Sequence, residues 1–345
     1  MFVIMKYILF FIIIFGLSYL IIVNRVKISD YYTQISNKDT SKEDKKKNDF
    51  IWGTSINPFP TGKIDQKELD GVIASLKDLG VKYVRLEYPN DGQEPAIHEP
   101  TIKKVFDAGF EVILLIQPKK AYNEISDPYQ DGFDIAQKIS KHYYYINYFQ
   151  LGNEPATDAI KPGWSGIVGS AYEPDRYQKV STWLKGASEG VKIGNSQAKK
   201  IITGHWLHIA FVDMLINDGI QFDIIGWDWF AEKSNILSVE TDKGEVKVLD
   251  RIASLGKDVW IMEFGERGDD EKAQAEYYQI RLDEIAKSGK VKGIINLNLY
   301  DQAFLLGGPN QFNGILNLKK NSAGEFELGE PRPAYNILKE FIANN

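Results

Sequence analysis

Two glutamates stand directly after apolar stretches of the sequence, where their carboxyl groups could take part in a reaction. Glu154 ends the segment Tyr148-Phe-Gln-Leu-Gly-Asn-Glu, and Glu263 follows Val259-Trp-Ile-Met. Two carboxyl groups that face each other across a cleft can break a glycosidic bond. One attacks the anomeric carbon, while the other protonates the departing oxygen and then deprotonates water. In enzymes that retain the anomeric configuration the two groups stand about 5–5.5 Å apart. We therefore predict that Glu154 and Glu263 are catalytic.

Two further polar residues have the types that would support such a pair. Arg85, in the run Val84-Arg-Leu86, is a cation that could keep Glu263 ionised. Asn153 could bond the 2-hydroxyl of a sugar, a contact that strengthens in the transition state. Glu154 must carry a proton at working pH, and a second carboxylate nearby would raise its pKa.

The remaining sequence indicates a fold that would bring these residues together. After Phe50, short apolar runs alternate eight times with amphipathic stretches, as in parallel strands covered on both faces. This pattern predicts an α/β fold of the (β/α)8 or TIM barrel type over residues 50–345. A doubly wound open sheet is the alternative, although no Gly-x-Gly-x-x-Gly motif follows the first strand. The predicted strands are Phe50–Thr54, Tyr83–Leu86, Glu111–Ile116, Tyr145–Leu151, Lys200–Thr203, Phe222–Gly226, Asp258–Met262 and Lys292–Leu297.

In such a barrel, the residues just past the C-terminal ends of the strands form the active face. The fourth and seventh strands lie on opposite sides of its mouth, so Glu154 and Glu263 would face each other. Tryptophans near the ends of the fifth and sixth strands could stack on sugars or could be ordinary core residues. His205 and His208 have no evident third metal ligand, which favours a hydrogen-bonding role. The predicted substrate-binding residues are Asn153, Arg85, Trp206, Trp227, Trp229, Asp228 and Tyr300.

These motifs together resemble glycoside hydrolase clan A, the superfamily of retaining barrel enzymes that includes cellulases, mannanases, galactanases and xylosidases. The resemblance rests on Asn153-Glu-Pro155, on Trp260-Ile-Met-Glu-Phe-Gly265 and on Arg85. It extends from Phe50 to the closing Pro331-Arg-Pro-Ala-Tyr-Asn-Ile-Leu-Lys339, which is similar to the last helix of those enzymes. It implies a retaining glycosidase with a carbohydrate substrate.

The resemblance also implies a role for each matching residue. Glu154 would be the acid/base, Glu263 the nucleophile, Asn153 the partner of the 2-hydroxyl and Arg85 the support of the nucleophile. Two positions depart from the family pattern. Many members carry a His-x-Tyr pair after the sixth strand, where this chain has Asp228 and Phe230. Many also have a tryptophan at the end of the eighth strand. That last region here contains Asn298, Tyr300 and Asp301.

The N-terminus has a different character from the rest of the chain. Between Phe2 and Val23 the only charge is Lys6, and a helix of this length could span a bilayer. We expect residues 1–23 to be a signal-anchor or transmembrane helix, because no Ala-x-Ala-like cleavage site follows. Residues 24–49 are polar and aperiodic, which predicts a linker. The catalytic domain would then be membrane-anchored and extracytoplasmic, or secreted if a signal peptide is cleaved.

Composition excludes several kinds of function. The chain has no cysteine, which excludes disulfide scaffolds, thiolate metal sites and cysteine nucleophiles. Residues 50–345 hold 33 basic and 42 acidic side chains, a balance that argues against nucleic-acid binding. We expect a monomer that hydrolyses a β-linked oligo- or polysaccharide without metal or organic cofactor. The alternatives are a non-catalytic carbohydrate-binding barrel and an enzyme whose acidic residues hold a divalent metal.

Overall fold

Eight parallel strands close into a barrel, as the apolar alternation predicts, and the open sheet is excluded. The computed structural model describes residues 50–56, 66–88, 94–302, 312–322, 324 and 326–345. The barrel strands are β1 (Ile51–Ile56), β2 (Tyr83–Glu87), β3 (Glu111–Ile116), β4 (Tyr148–Leu151), β5 (Lys199–His205), β6 (Ile224–Phe230), β7 (Asp258–Gly265) and β8 (Gly293–Asn296). Each strand pairs with its sequence neighbours, and β8 closes the ring on β1.

An α-helix follows each strand and covers the outside of the barrel. The helices are α1 (Gln66–Leu79), α2 (Pro95–Asp107), α3 (Pro128–His142), α4 (Pro174–Gly194), α5 (Ile209–Asn217), α6 (Val248–Ala253), α7 (Glu271–Lys287) and α8 (Pro333–Asn344). Two small antiparallel hairpins, Val239–Thr241 with Gly244–Val246 and Leu316–Lys320 with Phe326–Pro331, lie outside the barrel sheet. The alternation of strand and helix is therefore regular along the described chain.

The predicted signal-anchor at residues 1–23 and the linker at residues 24–49 lie outside the described residues, so both stay predictions. Among the helices that the structure describes, none has both the length and the apolar content that crossing a bilayer requires.

The barrel interior is packed with side chains and is not a pore. Six buried residues, Ile113, Ile201, Ile224, Trp260, Met262 and Ile295, form an inner cluster, with Tyr83 and Tyr148 against it. The rings of Tyr83 and Tyr148 lie 5.6 and 5.3 Å from that of Trp260. Gly226 leaves the space that Met262 fills, because a Cβ there would collide with the Met262 side chain. This filled interior forms the floor beneath the mouth of the barrel.

A β-bulge in β7 turns Glu263 into the mouth. Trp227 of β6 pairs with Ile261 of β7, but Asp228 pairs with Glu263, so Met262 is an extra residue. Side chains normally alternate between the two faces of a strand, and an extra residue breaks this alternation. Met262 therefore packs in the interior cluster while Glu263, its direct neighbour, lies in the cleft above.

Helices α3 and α4 pack with their backbones in contact along a row of glycines. A Cβ at Gly186 of α4 would overlap the carbonyl oxygen of Tyr129 in α3, and one at Gly190 would overlap that of Phe133. Alanine is favoured over glycine in a helix interior. These glycines therefore serve the close approach of the two helices and not helix formation.

We predict that Gly186→Ala lowers the free energy of unfolding by about 2 kcal/mol, because the added methyl group forces α3 and α4 apart. Gly71→Ala in α1 is the matched control, since its Cβ would meet only the Leu328 side chain at 3.6 Å. That substitution should be neutral or slightly stabilising. Denaturant unfolding followed by circular dichroism measures both. Equal stability of the two variants would contradict the packing argument.

Candidate active site

Three carboxyl groups meet at the C-terminal mouth of the barrel. One oxygen each of Glu154, Asp228 and Glu263 lies within 4.8 Å of the other two. Glu154 follows β4, Asp228 lies in β6 and Glu263 lies in β7, so three strand ends contribute. Asp228 and Glu263 are buried, whereas Glu154 is partly exposed to the cleft. The expected convergence of the residue 154 and 263 side chains is therefore present.

Arg85 connects this group to the barrel wall. Its Nη1 lies 3.0 Å from Oε1 of Glu263. Its Nε donates to Oε1 of Gln150 at 2.7 Å, and its Nη2 donates to Oδ1 of Asn153 at 2.8 Å. Only 4% of Arg85 is exposed, so these contacts hold a charge that water does not solvate. The predicted pairing of Arg85 with Glu263 is present, and Asn153 lies in the same network.

Two network members, Gln150 and Thr203, do not appear among the residues singled out from the sequence. Gln150 of β4 donates from Nε2 to Oγ1 of Thr203 in β5 at 3.3 Å. That hydroxyl also accepts the backbone N–H of Glu154 at 3.1 Å. The signal was available, since each is a polar residue at an inward position of an otherwise apolar strand. Together they fix the backbone from which Glu154 projects.

The chain turns sharply after β4, and this turn directs Glu154 into the cleft. Gly152 has φ +71°, and Glu154 itself has φ 44° and ψ 47°, a left-handed conformation that is uncommon for a residue with a Cβ. Pro155 then begins a short 3₁₀ turn that ends at Asp158. The motif Asn153-Glu-Pro155 is thus a corner at a strand end.

Burial and neighbouring charge raise the pKa values of two of the three acids. Burial raises the pKa of Glu154 to about 7, and the nearby Glu263 carboxylate adds to this effect. Burial, followed by Glu263 and Glu154, also raises the pKa of Asp228 well above its usual range. Both oxygens of Asp228 are buried without a hydrogen-bond partner among the described residues. The cleft therefore contains one acid paired with Arg85 beside two acids whose pKa values are raised.

His205 lies next to Glu154, His208 lies against His205, and both imidazoles are neutral. Their rings are 4.1 Å apart between centroids, and Nδ1 of His205 lies 3.8 Å from Oε2 of Glu154. Burial lowers the pKa of His205 to about 3 and that of His208 to about 4. An uncharged imidazole makes no ion pair with Glu154. The ring of His205 therefore lines the cleft and offers its Nδ1 as a polar atom there.

The three carboxyl groups also have the spacing of a divalent-cation site among the residues that the structure describes. A cation there would have to displace the proton of Asp228 and compete with Arg85 for Glu263. Metal ligands are deprotonated, so both requirements weaken such binding.

The expectation for three aromatic residues was wrong. Trp227, Trp229 and Tyr300 are 0%, 1% and 2% exposed and belong to the core between barrel and helices, so they present no free face to a sugar. Asp228 faces the barrel axis, and the two-residue period of a strand then points Trp227 and Trp229 outward. Tyr300 lies past β8 and bridges to Leu316.

Trp206 is the aromatic candidate that the structure leaves accessible near the mouth. It follows β5, is partly exposed, and stacks on Trp229 with 5.6 Å between ring centroids and 28° between planes. Its backbone carbonyl accepts a hydrogen bond from Nε1 of Trp227 at 3.2 Å. The two buried tryptophans therefore support Trp206 from below.

No protein-family model matches this chain, and no curated protein matches it in sequence. Solved structures do match. A β-glucosidase from Thermotoga maritima in complex with deoxynojirimycin superimposes with TM-score 0.62 at 12% identity, covering 86% of this chain and 98% of that one. A β-glycosidase from Pyrococcus horikoshii superimposes with TM-score 0.62 at 12% identity, covering 85% of this chain and 94% of that one. A β-glucosidase from Exiguobacterium marinum superimposes with TM-score 0.58 at 14% identity, covering 86% of this chain and 99% of that one.

The fold is the same barrel that these β-glycosidases have. At this level of identity the likeness concerns the barrel, and it agrees with the architecture expected from Asn153-Glu-Pro155 and the seventh-strand glutamate. The barrels of these enzymes are therefore similar to this one over nearly their whole length.

We predict that the carboxyl group of Glu154 titrates near pH 7 and that Glu263→Gln lowers its pKa, because that change removes a neighbouring negative charge. The pKa should stay above the ordinary glutamate value, since burial remains. Carbon-13 NMR of the labelled side-chain carboxyl groups measures this, with Glu154→Gln to assign the signal. An unchanged pKa in Glu263→Gln would contradict the electrostatic coupling of the two acids.

Proposed function

We propose that this protein is a retaining glycoside hydrolase that cleaves a β-linked glycan by double displacement. The observation that carries the proposal is the approach of Glu154 and Glu263 within 4.8 Å at the barrel mouth, with Arg85 paired to only one of them. An inverting pair would stand about 6.5–9.5 Å apart to admit a water molecule. The short distance favours direct attack by one carboxylate.

The two acids divide the reaction according to their surroundings. Glu263, paired with Arg85, attacks the anomeric carbon, and the bond to the departing oxygen breaks. Glu154, whose pKa is raised, gives its proton to that oxygen. In the second step Glu154 takes a proton from water, and the water oxygen displaces Glu263 from the sugar. Asn153, held by Arg85, bonds the 2-hydroxyl.

Asp228 takes the role of a hydrogen-bond donor in this scheme. A buried carboxyl group with two unpartnered oxygens is unfavourable unless a ligand satisfies it. When substrate excludes water from the cleft, the carboxyl group of Asp228 can donate a hydrogen bond to a sugar hydroxyl or to Glu263. Asp228 stands where many clan A members have the histidine of the His-x-Tyr pair, so the position would keep a polar group.

The location of this activity is a separate proposal that rests on residues 1–49 alone. The apolar run at residues 1–23 and the polar run at residues 24–49 favour a barrel tethered outside the cytoplasm, with secretion after cleavage as the alternative.

We predict that Glu263→Ala abolishes cleavage of aryl β-glycosides, because no carboxylate is left to form the covalent intermediate. Glu154→Ala should lower the rate of hydrolysis of substrates with poor leaving groups by roughly 10²–10⁴-fold. The rate of the first step should be unchanged for leaving groups that need no proton. Initial rates over a series of substituted phenyl glycosides measure this. Glycan binding without turnover by the unmodified protein would favour a non-catalytic barrel, and loss of turnover on chelation would favour the metal enzyme.

We also predict an alkaline limit to activity near pH 7. Glu154 must be protonated in the first step, and its raised pKa means that this form dominates below about pH 7 and is lost above it. The pH dependence of kcat/KM should therefore fall at higher pH. Glu154→Gln supplies the control, since its residual activity should show no such limb. A flat profile to pH 9 in the unmodified protein would contradict the assignment.

A further inference from the structure

Two cations stand at the rim of the cleft, on the side of Glu154. Lys233 ends the short turn Ala231–Lys233 after β6, and Arg267 lies two residues past the end of β7. Both are among the charges that lower the pKa of Glu154 and of His205. They therefore lie close enough for their charge to reach the proton donor.

Lys233 lies above the accessible tryptophan. Its Nζ is 5.4 Å from the ring centroid of Trp206, and Trp206 stacks on Trp229. Among the described residues, no carboxylate lies within ion-pair distance of Lys233, whereas Glu232 pairs with Arg267 instead. An aromatic ring and a free ammonium group thus stand together beside the cleft.

Arg267 is held rigidly, yet one of its donors is unused. Its guanidinium carbon lies 3.5 Å from the ring centroid of Phe230, and its Nη1 is 3.2 Å from Oε1 of Glu232. Its Nε is buried and has no hydrogen-bond partner among the residues that the structure describes. Arg267 therefore brings a positive charge in a fixed position to the rim, where the exposed part of its guanidinium can meet an anion.

We propose that Lys233, Arg267 and Trp206 form a subsite for an acidic sugar on the leaving-group side of the scissile bond. Trp206 stacks on the apolar face of the sugar ring, and the two cations bind its anionic substituent, a carboxylate or a sulfate ester. The assignment to the leaving-group side rests on the proposed function, in which Glu154 protonates the departing oxygen. Arg85, by contrast, is buried on the floor with Glu263.

The subsite makes the chain selective for charge. A neutral sugar could stack on Trp206 but would leave the two cations to water. An acidic sugar gains charge-assisted hydrogen bonds, and at a partly exposed rim we expect discrimination of about 10-fold in kcat/KM. Because the cations are not deeply buried, added salt should weaken this preference.

The test compares two β-linked disaccharides that share the sugar preferred in an aryl glycoside screen. One ends in glucuronate and the other in glucose, and a third ends in glucose 6-sulfate to separate carboxylate from sulfate. We expect the acidic substrates to be favoured and Lys233→Gln to bring the ratio of kcat/KM values close to one. Lys233→Arg should retain the ratio. Lys82→Gln, an exposed lysine before β2 at the opposite end of the barrel, is the matched control.

Two results would overturn the subsite and leave the proposed function standing. These are equal kcat/KM for the neutral and acidic disaccharides, and a Lys233→Gln variant that slows both to the same extent. Failure to hydrolyse any aryl glycoside or disaccharide would instead reject the proposed function. In that case calorimetric binding of the same disaccharides to the unmodified protein, Lys233→Gln and Lys82→Gln still decides whether the rim selects for negative charge.

Discussion

The contact between Arg85 and Glu263 is the interaction on which the arrangement of the cleft depends. Both side chains are buried, so neither charge is solvated and each is stabilised mainly by the other. Leaving one partner of such a buried pair alone costs roughly 3–5 kcal/mol. The same guanidinium bonds Gln150 and Asn153, which connects β2, β7 and β4 across the mouth. One cation therefore contacts Glu263 and also fixes the position of the residue before Glu154.

Two backbone irregularities direct the acids into that network. In β7 the extra residue Met262 lets Glu263 face the cleft while the strand continues. After β4, Glu154 adopts φ 44°, a conformation that costs roughly 1–3 kcal/mol for a residue with a side chain. Thr203 holds that corner by accepting the Glu154 amide hydrogen. Regular strands supply the barrel, and the departures from regularity supply the site.

Position near strand ends was enough to predict that Glu154, Glu263, Arg85 and Asn153 lie together, because parallel strands in a barrel end at one face. Their roles stay predictions. The eight-fold alternation was likewise enough to predict the barrel. Side-chain direction near the strand ends could not be predicted. The inward position of Asp228 decides that Trp227 and Trp229 are buried, and the bulge in β7 decides that Glu263 faces the cleft.

The density of acids in the cleft limits how much charge it can hold. At about 4.8 Å and an effective dielectric constant near 20, each pair of carboxylates repels by about 3–4 kcal/mol, and burial adds to this. Arg85 compensates one charge, and the pKa values of Glu154 and Asp228 are both raised. In the proposed reaction, Glu154 gives the proton that cleavage of the glycosidic bond needs. In the same proposal Asp228 offers a second hydrogen-bond donor, whereas Phe230, at the tyrosine position of the His-x-Tyr pair, offers none. A third acid in this fold is therefore consistent with catalysis because it is uncharged.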